Sequence, residues 1–205
     1  MADRGGRRAP GGLLVIGALV VGLLVPLLTS GASATDEPVR WQQAPLTSWR
    51  VEGTGYATVV VGTTAYVGGD FSTVRSPDGG TVVPRRNLAA FDVRTGALLP
   101  AFQADTNGIV RALVASGSHL VVGGSFTSVR GVPRKRLAAV DLATGAVSAS
   151  LVADTDSNVY GLAVGGGRLY VGGSYATIRG ASRSRLAALD GSTWAVTPYA
   201  PGPNG

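Results

Sequence analysis

Three aspartates, Asp92, Asp141 and Asp190, stand 49 residues apart, each with a threonine three positions on: Thr95, Thr144 and Thr193. Carboxylates in a set suggest two chemistries. A hard cation such as calcium takes six or more oxygens at about 2.5 Å. Glycoside hydrolysis needs two carboxyl groups roughly 5–10 Å apart. Equivalent positions of successive repeats lie far apart in a folded array, so neither arrangement follows from this spacing. A third role does: each carboxylate accepts the N–H groups of the turn that follows it, helped by the threonine hydroxyl.

Other catalytic chemistry has few candidates. The one histidine, His119, opens a strand just after a turn, and a multi-histidine zinc site is excluded. The chain has no cysteine, which removes thiolate ligands, thiol nucleophiles and disulfides. No serine stands in a G-x-S-x-G elbow between a strand and a helix. Paired carboxylates remain open, since folding can bring two of the acidic residues together. The expectation is a chain with no catalytic residue, no metal site and no cofactor.

The second constellation is basic. Arg130, Arg134, Lys135 and Arg136 crowd one loop, and Arg179, Arg183 and Arg185 occupy its later copy, with Arg75, Arg85 and Arg86 in the earlier one. Such a face attracts an anionic cell-wall polymer, an acidic polysaccharide or another surface protein. The competing reading is a solvating face, partly neutralised by Asp70, Asp105, Asp154 and Asp156. The net charge of +6 would point to nucleic acid in a cytoplasmic chain, but the N-terminus argues against that partner.

That N-terminus reads as an export signal. Arg4, Arg7 and Arg8 precede an apolar run from Leu13 to Leu28, and Ala32-Ser33-Ala34 offers a small-residue cleavage pattern. The run is short for a membrane anchor. Cleavage is expected after Ala34, so the membrane is met only through the transient signal-peptide helix. Arg7-Arg8 is followed by Ala9-Pro10-Gly11-Gly12, which favours general secretion over the twin-arginine route. The product is expected outside the cell, at the bacterial surface or secreted.

The elements that position these residues come from a repeat. GGSFTSVRGVPRKRLAAVDLATGAV, beginning at Gly123, returns 49 residues later as GGSYATIRGASRSRLAALDGSTWAV, with 14 of 25 positions identical. An earlier copy starts at Gly68, with a middle loop six residues longer. In the middle copy, strands are expected at Val110–Val114, His119–Phe126, Arg136–Asp141 and Ala146–Val152, joined by glycine-containing turns. Four short strands per 49-residue unit describe an up-and-down blade of a β-propeller-type array, about three blades in an incomplete ring. The boundaries are residues 1–34 for the signal peptide, 35–48 for a linker poorly ordered over 35–45, and 49–205 for the repeats. The copies run at about 49–103, 104–152 and 153–205. The stretch Trp49–Glu52 is expected to give an outer strand to a neighbouring sheet. The paired glycines Gly68-Gly69, Gly123-Gly124 and Gly172-Gly173 mark places where backbones approach closely. The last copy ends in Ala200-Pro201-Gly202-Pro203-Asn204-Gly205, like an inter-repeat linker without its strand. The chain therefore reads as a piece of a longer array, or as one that self-associates through its open sheet edges.

The Gly123-Gly124-Ser125-Phe126 strand, then Arg130-Gly131, then Arg136-Leu137-Ala138-Ala139 with Asp141, resembles the delta-60 repeat of exported bacterial proteins. The Asn107-Gly108-Ile109-Val110-Arg111-Ala112-Leu113 segment fits it too, and the resemblance runs from Trp49 to the end. It departs in the long first loop, Ser76–Pro84, and in Trp194, which replaces a glycine. The resemblance implies a β-propeller scaffold without shared catalytic residues or cofactor. The expected function is a secreted, non-catalytic module for binding or scaffolding, and the alternative is part of a secreted polysaccharide-acting enzyme.

Overall fold

The computed structural model describes residues 48–199 and 201. The signal peptide, the linker stretch 35–47, and residues 200 and 202–205 lie outside the described residues. Fourteen strands follow one another, and no helix occurs among the described residues. The first copy holds β1 (Arg50–Val61), β2 (Thr64–Arg75), β3 (Val82–Pro84) and β4 (Leu88–Asp92). The second holds β5 (Val110–Ser116), β6 (His119–Gly124), β7 (Ser128–Val129), β8 (Val132–Pro133) and β9 (Leu137–Asp141). The third repeats the second 49 residues on: β10 (Val159–Gly165), β11 (Arg168–Gly173), β12 (Thr177–Ile178), β13 (Ala181–Ser182) and β14 (Leu186–Asp190).

Each copy builds one antiparallel sheet. β2 pairs with β1 on one edge and with β3 and β4 on the other, and the later sheets run β5-β6-β9 and β10-β11-β14. The loop between the second and third main strands folds into a two-stranded hairpin, β7-β8 and β12-β13. Its tip is Arg130-Gly131 or Arg179-Gly180, with φ of 50° and 77° or 51° and 75°. Two successive positive φ values make the turn type whose twist matches a tight hairpin.

The β9 segment shows how the sheets stack. Leu137 and Ala139 belong to the apolar cluster shared with the third sheet, whereas Ala138 and Val140 belong to the one shared with the first. Successive side chains of a strand point to opposite faces, so the middle sheet is covered on both. That is why the run is apolar at every position and uses small alanines. Leu88, Leu120, Leu137, Leu151 and Leu169 are fully buried, and each contributes about 1.5–3 kcal/mol relative to an exposed side chain.

The paired glycines have two separate jobs. At Gly68 and Gly123 an added Cβ would strike Val110 or Val159 of the following sheet. At Gly69, Gly124 and Gly173 it would strike the carbonyl of Thr54, Ile109 or Asn158 in the same sheet. The first glycine lets sheets converge; the second makes room for a bulge in the first strand.

Two expectations are corrected. The fourth strand of each copy is a single bridge, Phe91 to Leu98, Val140 to Val147 and Leu189 to Val196. After the Asp141 turn, Asp141 N–H donates to the Ala146 carbonyl and Ser148 N–H to the Ala139 carbonyl, both at 2.8 Å. The Ser148 carbonyl then accepts from Arg134 Nη2 at 3.0 Å, which takes the acceptor the next rung would use. The Trp49–Glu52 stretch does not reach a neighbouring sheet. Arg50–Glu52 extends β1 and pairs with Thr73–Arg75 of its own sheet. Glu52 holds that end, accepting from Arg75 Nε at 2.5 Å and the Thr73 hydroxyl at 2.8 Å.

Candidate functional site

The three repeated aspartates are turn caps. Asp141 Oδ1 accepts from the N–H groups of Ala143 and Thr144 at 3.0 and 2.8 Å and from the Thr144 hydroxyl at 2.8 Å. Asp92 does the same with Arg94 and Thr95, and Asp190 with Ser192 and Thr193. These donors favour the charged form and hold all three carboxyls below the usual carboxylate range. The Thr95 N–H leads at Asp92, the Thr144 hydroxyl at Asp141 and the Ser192 hydroxyl at Asp190. Among the described residues no group of three His, Asp or Glu side chains is placed to hold a metal ion.

His119 lies 3.4 Å from the Ser118 hydroxyl through Nδ1, and its ring meets Trp194 edge to face at 6.4 Å between centroids. Trp194 takes a left-handed φ of 60° at the site where the other copies have glycine, and it is buried in the core between the second and third sheets. The third turn is thereby fastened onto the hairpin that carries His119.

The basic residues divide by what their side chains do. Arg134 donates to the carbonyls of Pro133 and Ser148 at 2.8 and 3.0 Å. Its counterpart Arg183 donates to Ser182 and Thr197 at 2.8 and 2.9 Å, and Arg85 to Pro84 and Pro100 at 2.8 and 3.3 Å. The planar guanidinium suits this two-pronged hold, which fastens the long loop to the outgoing chain. Arg136 Nη1 donates to the Thr155 carbonyl at 2.8 Å, and Arg179 Nη1 to the Trp194 carbonyl at 2.7 Å. Arg130 and Arg185 are exposed and left-handed, with φ of 50° and 64°, and Lys135 is exposed. Four of the seven candidates thus spend their guanidinium on backbone carbonyls. Arg130, Lys135 and Arg185 make no side-chain hydrogen bond among the described residues.

The structure brings together three residues that sequence reasoning passed over. The ladder register slips at Gly55/Ala57, Val110/Ala112 and Val159/Gly161. The skipped residues are Tyr56, Arg111 and Tyr160. A bulge re-aims one side chain off the regular alternation, and the three bulges aim theirs at one another. The Arg111 guanidinium lies 5.5 Å from the Tyr56 ring centroid and 5.7 Å from that of Tyr160. Both tyrosines are half exposed, at 49% and 52%. Tyr160 is more acidic than an ordinary phenol, through hydrogen bonding to Asn158 and Ser174 and the charge of Arg111. The signal available in sequence was a period: residue 56 lies 55 before 111 and residue 160 lies 49 after it, matching the spacing of the glycine pairs.

Two polar clefts open beside the junction of the first two copies. One, of about 510 Å³, is lined by Glu52, Asp70, Arg86 and Asn107 among others. The next, of about 350 Å³, shares Arg86 and Asn107 and adds Asp105 and Arg130. Glu52 and Asp70 are the two carboxylates of the larger cleft, but Arg75 and Thr73 keep Glu52 ionised, with its pKa below the ordinary value. A general acid needs its pKa raised, so Glu52 is unsuited to that role. Asp105 Oδ1 accepts the Arg86 N–H at 3.1 Å, and Asn107 Oδ1 accepts the N–H groups of Thr127 and Ser128 at 2.8 and 2.9 Å. The Arg86–Asp105 contact joins the first two copies, and Asn107 is held within the second.

No family model matches this chain, and no curated protein matches it. Among solved structures 38 chains match. The crystal structure of the computationally designed Ika4 protein is 15% identical, with a TM-score of 0.34 over 62% of this chain and 90% of that one. The computationally designed Ika8 protein is 13% identical, with a TM-score of 0.35 over 69% of this chain and 60% of that one, so the match spans less than two thirds of Ika8.

Proposed function

We propose that this chain is a secreted, non-catalytic β-propeller-type repeat module that binds an acidic polysaccharide or cell-wall polymer and acts as a scaffold outside the cell. The observation that carries the reading is the strip Tyr56–Arg111–Tyr160, in which two half-exposed aromatic rings flank a guanidinium. Tyrosine faces stack on sugar rings with little loss of side-chain freedom, and the guanidinium matches a carboxylate with two parallel donors. Arg130, Lys135 and Arg185, whose side chains are not tied to carbonyls, add positive charge. Arg134 and Arg183 belong to the framework instead.

The test is retention on immobilised uronic-acid polysaccharide, with a neutral glucan as control. Replacing Arg111 with glutamine is expected to weaken binding about tenfold, a loss of roughly 1.4 kcal/mol of charge-assisted contact. Tyr56→Ala with Tyr160→Ala is expected to weaken binding as well, while Arg134→Ala reports only on stability. Unchanged retention in the Arg111 variant would end the proposal. Release of shortened sugar chains would favour the enzymatic alternative, and Asp70→Asn would then be the variant to assay.

A further inference from the structure

Neighbouring sheets of this chain meet through a repeated knob and hole. Val110 and Leu113 of β5 occupy the space above Gly68 of β2, and Val159 and Leu162 of β10 occupy the space above Gly123 of β6. Tyr66 completes the first of these contacts, donating its hydroxyl to the Leu142 carbonyl at 2.6 Å and meeting Phe102 edge to face at 5.1 Å. A polar clasp runs alongside. Asp105 Oδ1 accepts the Arg86 N–H at 3.1 Å, and Asp154 Oδ1 accepts the Lys135 N–H at 2.8 Å.

The third sheet carries the same face without the knob. An added Cβ at Gly172 would have no described neighbour nearer than 3.9 Å. An apolar groove of about 270 Å³ lies there, lined by Gly161, Leu162, Ala163, Tyr170, Gly172 and Leu186. Tyr170, the counterpart of Tyr66, is only half buried and meets Tyr199 at 5.7 Å between centroids.

We infer that this groove is the docking site for one further sheet of the same repeat, whose first strand carries valine and leucine three residues apart and whose linker carries aspartate. The argument is continuity with an interface the chain already forms twice. A valine there fills the hole above Gly172, a leucine meets Leu186 and Tyr170, and the aspartate caps the Ser184 N–H. A second copy of this chain is a poorer occupant. The positions on β1 that match Val110 and Leu113 are Gly55 and Thr58, so its first sheet brings no apolar knob.

The test supplies the occupant. Residues 151–199 take the place of residues 200–205, which keeps the 49-residue spacing and brings the Asp154 equivalent into the linker, and Gly172→Val is placed in both the extended chain and the chain from Thr35 to Gly205. The extension is expected to raise Tm by several degrees. Gly172→Val is expected to reverse that gain in the extended chain and to leave Tm unchanged in the unextended one, where the hole is open. Gly172→Val that is neutral in both chains overturns the inference. So does destabilisation already in the unextended chain, which would mean that a segment of the chain itself covers the groove. A dimer of the unextended chain that Gly172→Val dissociates, seen by light scattering, would make a second copy the occupant and also overturn it.

Discussion

At the scale of single residues, the division among the arginines decides what substitutions will do. Arg134 holds two carbonyls from a half-buried position, so Arg134→Ala leaves the Ser148 carbonyl without its donor. The expected cost is about 1–3 kcal/mol, read as a fall in Tm. Arg134→Lys should not restore it, because an ammonium lacks the planar fork. Lys135→Ala, at an exposed side chain one residue on, should stay within about 0.5 kcal/mol. The turn aspartates carry a second expectation. Their folded pKa values lie below the ordinary one, so the folded state binds fewer protons than the unfolded state in acid. Their stabilisation is complete above the unfolded value, about 3.9, and is lost as pH falls from there through the lower folded value. Tm should therefore be flat through the neutral range and decline below about pH 4. Asp92→Asn, Asp141→Asn and Asp190→Asn together should flatten that decline; an unchanged slope would assign acid sensitivity to other carboxylates.

At the scale of elements, the bulge is the feature that turns a structural repeat into a surface. Gly124 exists because the Ile109 carbonyl, pushed outward by the bulge, fills the space of a side chain. Gly124→Ala is expected to destabilise by about 1–3 kcal/mol, the range for overfilling a close-packed site, and to lower polysaccharide retention by misplacing Arg111. Gly161→Ala, where an added Cβ meets nothing, should change neither by much. Equal effects of the two would remove the bulge from the account. The same elements show what the sequence made legible. The 49-residue period, the Asp-capped turns and the close approach at the glycine pairs followed from local spacing, because each depends on residues near one another in the chain. The bulge did not, since the Tyr56, Arg111 and Tyr160 side chains differ and only their shared register unites them. Nor did the arginine staples: besides the adjacent carbonyl, Arg134 and Arg183 each hold one 14 residues away, chosen by how the loop folds back. The missing fourth strand is the other side of that fact.

At the scale of the molecule, the two larger apolar clusters among the described residues each join neighbouring sheets. The second and third are joined by the apolar cluster of Leu137, Val159 and Leu169 and by a polar clasp: Lys135 N–H to Asp154, Thr155 N–H to the Lys135 carbonyl, and Arg136 to the Thr155 carbonyl. Stability in such an array is a sum of unit and interface contributions, and weakening one interface frees the unit beyond it. The third sheet is covered on one face by that interface, whereas the middle sheet is covered on both. Asp154→Ala combined with Arg136→Ala should therefore loosen the third sheet before the others. Native-state hydrogen exchange checks this directly: amides of β10 and β11 should exchange through a partial opening while those of β6 and β9 still require global unfolding. The matching double variant at the first junction, Asp105→Ala with Asn87→Ala, removes the Asp105 contact to Arg86 and the Asn87 contact to the Thr106 carbonyl. It should instead release the first sheet, leaving β10 and β11 protected. Uniform loss of protection in both variants would show the described sheets to be one cooperative block, and the nearest-neighbour description would then fail.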